Sequence, residues 1–322
     1  VSSSFEHGVH LLRPAAPEEA RLLAVTGLQR VTVHAPWRWT EFRRGTFDLA
    51  SLDHFLAPLR EAGLPLQAIL GPAMPHLLPD HVAAADGDFG PRFATWVGRI
   101  AAALPDVGVF RVEDELNGAF LWDGLRTRKR RGATWRDPAV RLGLLRAACT
   151  AVREARPDAE VRITAHAGIP GWRADLRRWL AGGVSFDRLG LTVNPCGVLP
   201  DPEMADRLGE AVTQALEVLR EAGCDAPVEV SRTGYGTLRR GWSPRRQREF
   251  LERAHASVQR AGGVGLHWWA LRDQAHDDPI HGYWTPARER HMGLLFYDSV
   301  PKPAMDELRV LATGARFGEG GA

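Results

Sequence analysis

The chain has 322 residues, 44% of them apolar and 25% charged, with a formal net charge of +2. That size and balance describe a folded chain with a sizeable core and exclude a disordered one. A charge so close to neutral excludes a surface built as a whole for nucleic acid or for a membrane.

Short apolar runs alternate with amphipathic stretches from one end to the other. The first predicted strand is Gly8–Leu12 and the second Arg30–His34. A helical pattern follows, with Leu52, Phe55, Leu56 and Leu59 on one face, and then a strand at Leu66–Leu70. Phe93, Val97, Ile100 and Ala101 mark the next helix and Val107–Val112 the next strand. An unusually long connection, Asp114 to Asp137, leads to a helix carrying Leu144, Leu145, Ala148 and Val152. Strands at Val161–Ala165 and Leu189–Val193 precede a helix with Val212, Ala215, Leu216 and Leu219. The last strands are Val228–Ser231 and Val264–Trp268, and a final helix begins near Lys302 and Pro303. Gly63, Gly223 and Gly262 each stand between a helical pattern and a strand, where glycine accepts the left-handed conformation that ends a helix.

Strict alternation of strand and helix predicts a parallel sheet. Eight such units in one chain predict an α/β fold of the (β/α)8 TIM-barrel type, a single domain over residues 1–322. The 118–137 connection then lies on the C-terminal face, where barrel enzymes keep their chemistry. No glycine-rich phosphate loop follows the first strand, which argues against a dinucleotide site. Cys149, Cys196 and Cys224 are an odd number without metal-ligand spacing, so neither a disulfide framework nor a cysteine metal site is expected. Val1 to His10 has no basic segment followed by an apolar run, and no stretch is long enough to span a bilayer. The expectation is a cytoplasmic protein with no cofactor, no nucleic-acid partner and no membrane partner.

Several segments resemble the clan-A retaining glycoside hydrolases. The stretch Phe110-Arg111-Val112-Glu113-Asp114-Glu115-Leu116-Asn117 is similar to the end of that family's fourth strand, with Glu115 on its acid/base glutamate and Asp114 on the preceding asparagine. Val33-His34-Ala35-Pro36-Trp37, followed by Glu41, Gly45, Phe47 and Asp48, resembles the second-strand region. Trp268-Trp269-Ala270-Leu271-Arg272-Asp273 looks like the eighth strand, and Met292-Gly293-Leu294-Leu295 with Pro301-Lys302-Pro303-Ala304 like the closing segment. The strand-seven segment reads Val230-Ser231-Arg232-Thr233-Gly234-Tyr235, which puts Arg232 on the nucleophile. The family's supporting arginine on strand two falls on Thr32, and Asn194 falls where strand six often has a histidine.

These substitutions decide the expected chemistry. Arginine is always protonated and offers only donors, so double displacement through Arg232 is excluded. Glu115 is the expected acid/base group, with Glu113 on the same strand parity and Arg232 completing the catalytic set. A second carboxylate among Glu113, Asp114 and Asp273 would be the base of an inverting route. Arg232 either binds an anionic part of the substrate or pairs with Glu113 or Glu115. The expected substrate-binding set is Asp114, Asn117, His34, Trp37, His166, Asn194, Tyr235, His267, Trp269, Arg272 and Asp273, with Trp269 as a stacking platform. His34, His166 and His267, if they face one barrel mouth, could also bind a metal, although no metal is expected. Asp277, Asp278, His276 and His281 belong to the loop after strand eight and are candidates for lining the pocket.

The resemblance implies a glycoside hydrolase-like enzyme acting on a glycoside or sugar-like small molecule, anionic ones included. One alternative is a repurposed isomerase, lyase or cyclase on the same scaffold, and another is a non-catalytic sugar- or protein-binding relative. Arg126, Arg128, Lys129, Arg130 and Arg131 form a basic run that suits an acidic carrier protein as a further partner.

Overall fold

The computed structural model describes residues 5–71, 78–82, 88–118, 137–195, 201–238, 241–275 and 289–314. Eight parallel strands close into one barrel in sequence order. They are β1 Glu6–Leu11, β2 Arg30–Ala35, β3 Leu66–Leu70, β4 Val109–Val112, β5 Glu160–His166, β6 Arg188–Thr192, β7 Val228–Thr233 and β8 Gly265–Trp268. Between and after them, among the described residues, run α1 Pro17–Ala24, α2 Trp37–Thr40, α3 Ala50–Glu61, α4 Phe89–Ala103, α5 Pro138–Ala155, α6 Trp172–Ala181, α7 Asp206–Glu221, α8 Pro244–Arg260 and α9 Pro303–Thr313. The chain is therefore a single (β/α)8 barrel, as its alternating pattern predicts. No helix among the described residues is long and apolar enough to cross a membrane.

The helices form where the apolar spacing places them, and their apolar faces cover the outside of the barrel. Leu52, Phe55, Leu56 and Leu59 of α3 are all buried, as are Phe93, Trp96, Val97 and Ile100 of α4. Gly63, Gly223 and Gly262 have φ of 65°, 66° and 84°, the left-handed conformation that a side chain would strain. α9 starts with Pro303 in its first turn, after Lys302.

Strand β1 begins two residues earlier than its apolar run, at Glu6, and the reason lies inside the barrel. Arg162 on β5 reaches Glu6 on β1 at 2.6 Å, Gln67 on β3 at 3.2 Å and Glu229 on β7 at 2.8 Å. These strands are not neighbours, so the contacts cross the barrel. They form one layer of four side chains from the odd strands, the position that branched apolar residues usually fill in such barrels. His267 joins the layer through a 3.0 Å contact with Glu6. Arg30, Arg188 and Glu160 pair with it from the rim. Burial opposes the charge on Glu6, but His267 and Arg162 outweigh it and hold the carboxyl far below the usual range. Glu229 is held low in the same way, chiefly by Arg162 against its own burial.

Candidate active site

Above that layer the barrel interior stays charged up to its C-terminal mouth. Arg111 on β4 lies 3.9 Å from Glu229 below and 3.8 Å from Asp114 above. Arg232, next to the end of β7, lies 3.8 Å from Asp114, 3.1 Å from Glu115 and 3.4 Å from Glu289. Positive and negative groups thus alternate from Arg162 at the barrel floor to Glu115 and Glu289 at the mouth. Each charge is flanked by the opposite one, which makes their common burial tolerable.

Local backbone explains how β4 delivers its carboxylates. Glu113 and Glu115 have φ of 60° and 58°, an unusual conformation for glutamate and one that the surroundings must enforce. Gly71, at the end of β3, allows it. A Cβ there would lie 3.2 Å from both the Glu113 Cα and its Oε1. Glu113, Asp114 and Glu115 are all buried. Asn117 then locks the loop to β5: its Oδ1 accepts from the His166 backbone N–H at 2.8 Å and its Nδ2 donates to the His166 carbonyl at 3.1 Å. Its amide therefore works on the backbone, where the sequence predicted contacts with a substrate hydroxyl.

Arg232 and Trp269 form the centre of the mouth. The guanidinium carbon sits 3.6 Å from the Trp269 ring centroid, a cation–π stack, while Nη1 donates to Glu115 Oε1. The expected sugar platform thus carries a guanidinium on one face. Arg232 pairs with Glu115, and Asp114 and Glu289 are further carboxylates around it. Glu289 lies far along the chain from β8 and within no motif, so sequence reasoning does not single it out.

Asp114 occupies the least comfortable position. Burial, with the neighbouring Glu115 charge, pushes its pKa up to about 6, and Arg232 and Arg111 only partly oppose this. A raised carboxyl pKa means that the folded state binds the extra proton. Its stabilising effect is present below the unfolded value and disappears as pH rises through about 6. Asp114→Asn removes the penalty. It is expected to stabilise the protein by about 1–3 kcal/mol at pH 8 and by much less at pH 4.5. Urea unfolding at the two pH values measures this, and an equal effect at both would remove the assigned cause.

The remaining candidates separate by depth. His34 lies near the mouth with its ring 5.7 Å from Trp269, edge to face. His10, not selected from sequence, lies between His34 and His267 and 5.2 Å from Trp269. Its Nε2 contacts the Ser231 carbonyl at 2.8 Å. Burial, followed by the charges of Arg111, His34 and His267, keeps the ring neutral, so Nε2–H is the donor. His267 lies one layer lower, with Glu6. His34, His166 and His267 therefore do not converge as a metal set. The described residues that bring metal-type ligands together are Glu6, Glu229 and His267, and the Arg162 guanidinium already bonds both carboxylates there. His166 and Asn194 line a cavity beside the mouth.

Four predicted substrate contacts lie elsewhere. Trp37 is in the core beneath the mouth, stacked on Trp96 at 5.6 Å, with its Nε1–H on Glu41. Tyr235 is buried against Trp242 and Phe250, its hydroxyl on the Gly241 carbonyl. Arg272 pairs with Glu19 of α1 at 2.9 Å. Asp273 accepts from buried Lys302 at 2.7 Å and from the Gly293 N–H. It ties the end of β8 to the closing segment, where a Cβ on Gly293 would meet the Asp273 nitrogen at 2.2 Å. The basic run 126–131, most of the 118–137 connection, Cys196, His276, Asp277, Asp278 and His281 lie outside the described residues.

Fold and site together define a class: an eight-stranded parallel barrel with buried carboxylates where β4 ends and a cation beside them on β7. No protein-family model and no curated protein matches the sequence. Solved structures do match. The exo-β-1,4-mannosidase Op5Man5 from Opitutaceae bacterium strain TAV5 aligns with a TM-score of 0.74 at 18% identity, covering 98% of this chain and 62% of its own. A family 39 glycoside hydrolase from Bacteroides cellulosilyticus WH2 aligns with a TM-score of 0.69 at 16% identity, over 97% and 64% of the two chains. A GH5_18 variant from Streptomyces cattleya, in complex with Manb1-4GlcNAc, aligns with a TM-score of 0.74 at 16% identity, over 97% and 82%. This chain spans less than two thirds of the first two. At these identities the likeness establishes the fold: a glycoside hydrolase-like (β/α)8 scaffold.

Proposed function

We propose that the chain is an enzyme acting on a glycoside or sugar-like small molecule by acid/base chemistry at Glu115, without a covalent glycosyl intermediate. The observation that carries this reading is the Arg232 Nη1 contact with Glu115 Oε1 at 3.1 Å in the barrel mouth. The neighbouring enzymes with this scaffold are glycosidases by name, and the sequence around Glu115 resembles their acid/base strand. Arg232 takes the nucleophile's position in that resemblance and has no lone pair to attack a sugar carbon. A single displacement needs only an acid and a base with room for one water, at a carboxyl separation of about 6.5–9.5 Å. Glu113 and Asp114 are the buried carboxyl groups nearest in sequence for the second role. Asp114, whose pKa burial pushes up to about 6, lies 3.8 Å from the same guanidinium as Glu115, so it positions and tunes that pair.

A second reading has its own support. A carboxylate and a guanidinium stand together at the mouth, Glu115 against Arg232, and the guanidinium covers one face of Trp269. A base beside a fixed cation suits proton abstraction with an anionic intermediate, as in isomerisation, elimination or cyclisation.

The test is turnover on a panel of aryl glycosides and free sugars, with intact-mass measurement after incubation with activated 2-fluoro glycosides. Turnover without a glycosyl adduct is the expected result. A stable adduct, or no turnover on any sugar, overturns the reading. Product analysis in D2O separates the two chemistries: deuterium at carbon or a new double bond marks proton abstraction, and a new reducing end with neither marks hydrolysis.

A further inference from the structure

Open space among the described residues lies where β5 and β6 reach the barrel mouth. Two cavities, of about 460 and 300 Å3, share the lining residues Ala167, Gly168, Trp172 and Gln214 and so form one furrow. Its inner end is walled by His166 and Asn194, where β5 and β6 reach the mouth. Its outer end crosses the start of α6 and the flank of α7. Each part falls in the range of ligand-binding pockets.

The chemistry of the furrow changes along its length. Near the mouth it offers an imidazole and an amide, and the Asn194 Oδ1 is buried without a hydrogen-bond partner among the described residues. The floor is Trp172, Ile169 and Met204. The outer end has three arginines, Arg173, Arg177 and Arg207, against one acid, Glu210. Arg177 pairs with Glu221 at 2.8 Å and Arg207 with Glu210 at 3.3 Å, but the four side chains are 50–63% exposed. Exposed pairs of this kind add little stability and exchange readily for a better partner. Arg173 has no ion pair among the described residues. At the mouth itself, by contrast, Arg232 is already surrounded by Asp114, Glu115 and Glu289.

We propose that this furrow is an extension of the substrate site that recognises an oxyanion group on the distal part of the substrate, through Arg173, Arg177 and Arg207. The inference rests on the reading of Glu115 as the reacting end. It moves anion recognition away from Arg232, one of the two roles the sequence left open for that residue, to a cavity with room for a second sugar-sized unit. The ligand class is a disaccharide-like molecule with a neutral ring at the mouth and a carboxylate, sulfate or phosphate on the next unit. Arginine suits all three because its planar fork donates two parallel hydrogen bonds to such groups.

The test is calorimetric titration of the whole chain with matched disaccharides: a neutral one and its uronate, sulfated and phosphorylated forms. At least one charged form is expected to bind about ten-fold or more tightly than the neutral one, with a preference that falls as salt rises. In the Arg173→Gln/Arg177→Gln/Arg207→Gln variant that preference is expected to vanish while the neutral disaccharide binds as before. All three residues are exposed, so circular dichroism melting of the variant should match the parent. Equal binding of all four ligands, no binding of any, or a preference that survives in the variant overturns the proposal. The outcome is separable from that of the proposed function. Binding that shows the preference without turnover refutes the enzyme and keeps the furrow, and turnover without the preference does the reverse.

Discussion

Glu115→Gln is expected to lower turnover by about 10²- to 10⁴-fold while leaving ligand affinity within a few-fold of the parent. Glutamine keeps the length and one acceptor oxygen, so it can still take the Arg232 hydrogen bond that Glu115 accepts at 3.1 Å. What it cannot do is release or take up a proton. The loss corresponds to about 3–5 kcal/mol of barrier, the usual contribution of one positioned acid or base. Because the amide remains in the pocket, a folding defect is not expected, and thermal melting checks this directly. Glu115→Asp makes a complementary variant. It keeps the proton and shortens the reach, so it should recover part of the lost rate if proton transfer is the role of the residue. A Glu115→Gln variant with turnover within about ten-fold of the parent would remove Glu115 from the chemistry. Attention would then pass to Glu113, whose carboxylate lies against Gly71 on the same rim.

The barrel was legible in the sequence because its signal is repeated. Each of the eight apolar runs finds its strand, and each glycine that ends a helix is where the pattern places it. The acid end of the site was legible too, because Glu113, Asp114 and Glu115 follow β4 directly and a barrel delivers such residues to its mouth. Aromatic and charged residues beyond strand ends were harder to place. Trp37 and Tyr235 occupy positions from which a ring can point into the mouth or between helix and sheet, and only the packing of Trp96, Phe93 and Phe250 around them decides. Arg272 and Asp273 come a few residues after β8, near where Glu113 stands relative to β4, yet Glu19 and Lys302 from distant parts of the chain claim them. The charged layer at the barrel floor had a readable sign that sequence reasoning passed over. Glu6, Arg162 and Glu229 are charges within strands, and Arg162 and Glu229 each have apolar residues on both sides, which is the parity of an inward-facing residue in a barrel.

That floor layer sets the second large expectation. Arg162→Met should destabilise the protein by about 3–5 kcal/mol, a large share of the roughly 5–15 kcal/mol that holds a typical domain folded. Methionine fills much of the volume, so the loss is not mainly a cavity. It comes from Glu6 and Glu229, which lose guanidinium contacts at 2.6 and 2.8 Å and keep longer ones to Arg188, Arg30, Arg111 and His267. The dependence on pH identifies this cause. In the parent, both carboxyls titrate below the unfolded value, so their stabilisation is present above about pH 4.5 and lost as pH falls. In the variant the burial of each carboxylate is less well compensated. The deficit relative to the parent should therefore be greatest at pH 7 and shrink towards pH 4. Removing one of the stranded charges should act in the same direction. Arg162→Met/Glu229→Gln is expected to be more stable at pH 7 than Arg162→Met alone, because a neutral amide is cheaper to bury than an unpaired carboxylate. Urea unfolding of the three proteins at both pH values provides the comparison. A deficit independent of pH, together with a double variant weaker than the single one, would mean that Arg162 acts by packing and that the layer is held by shape and not by charge.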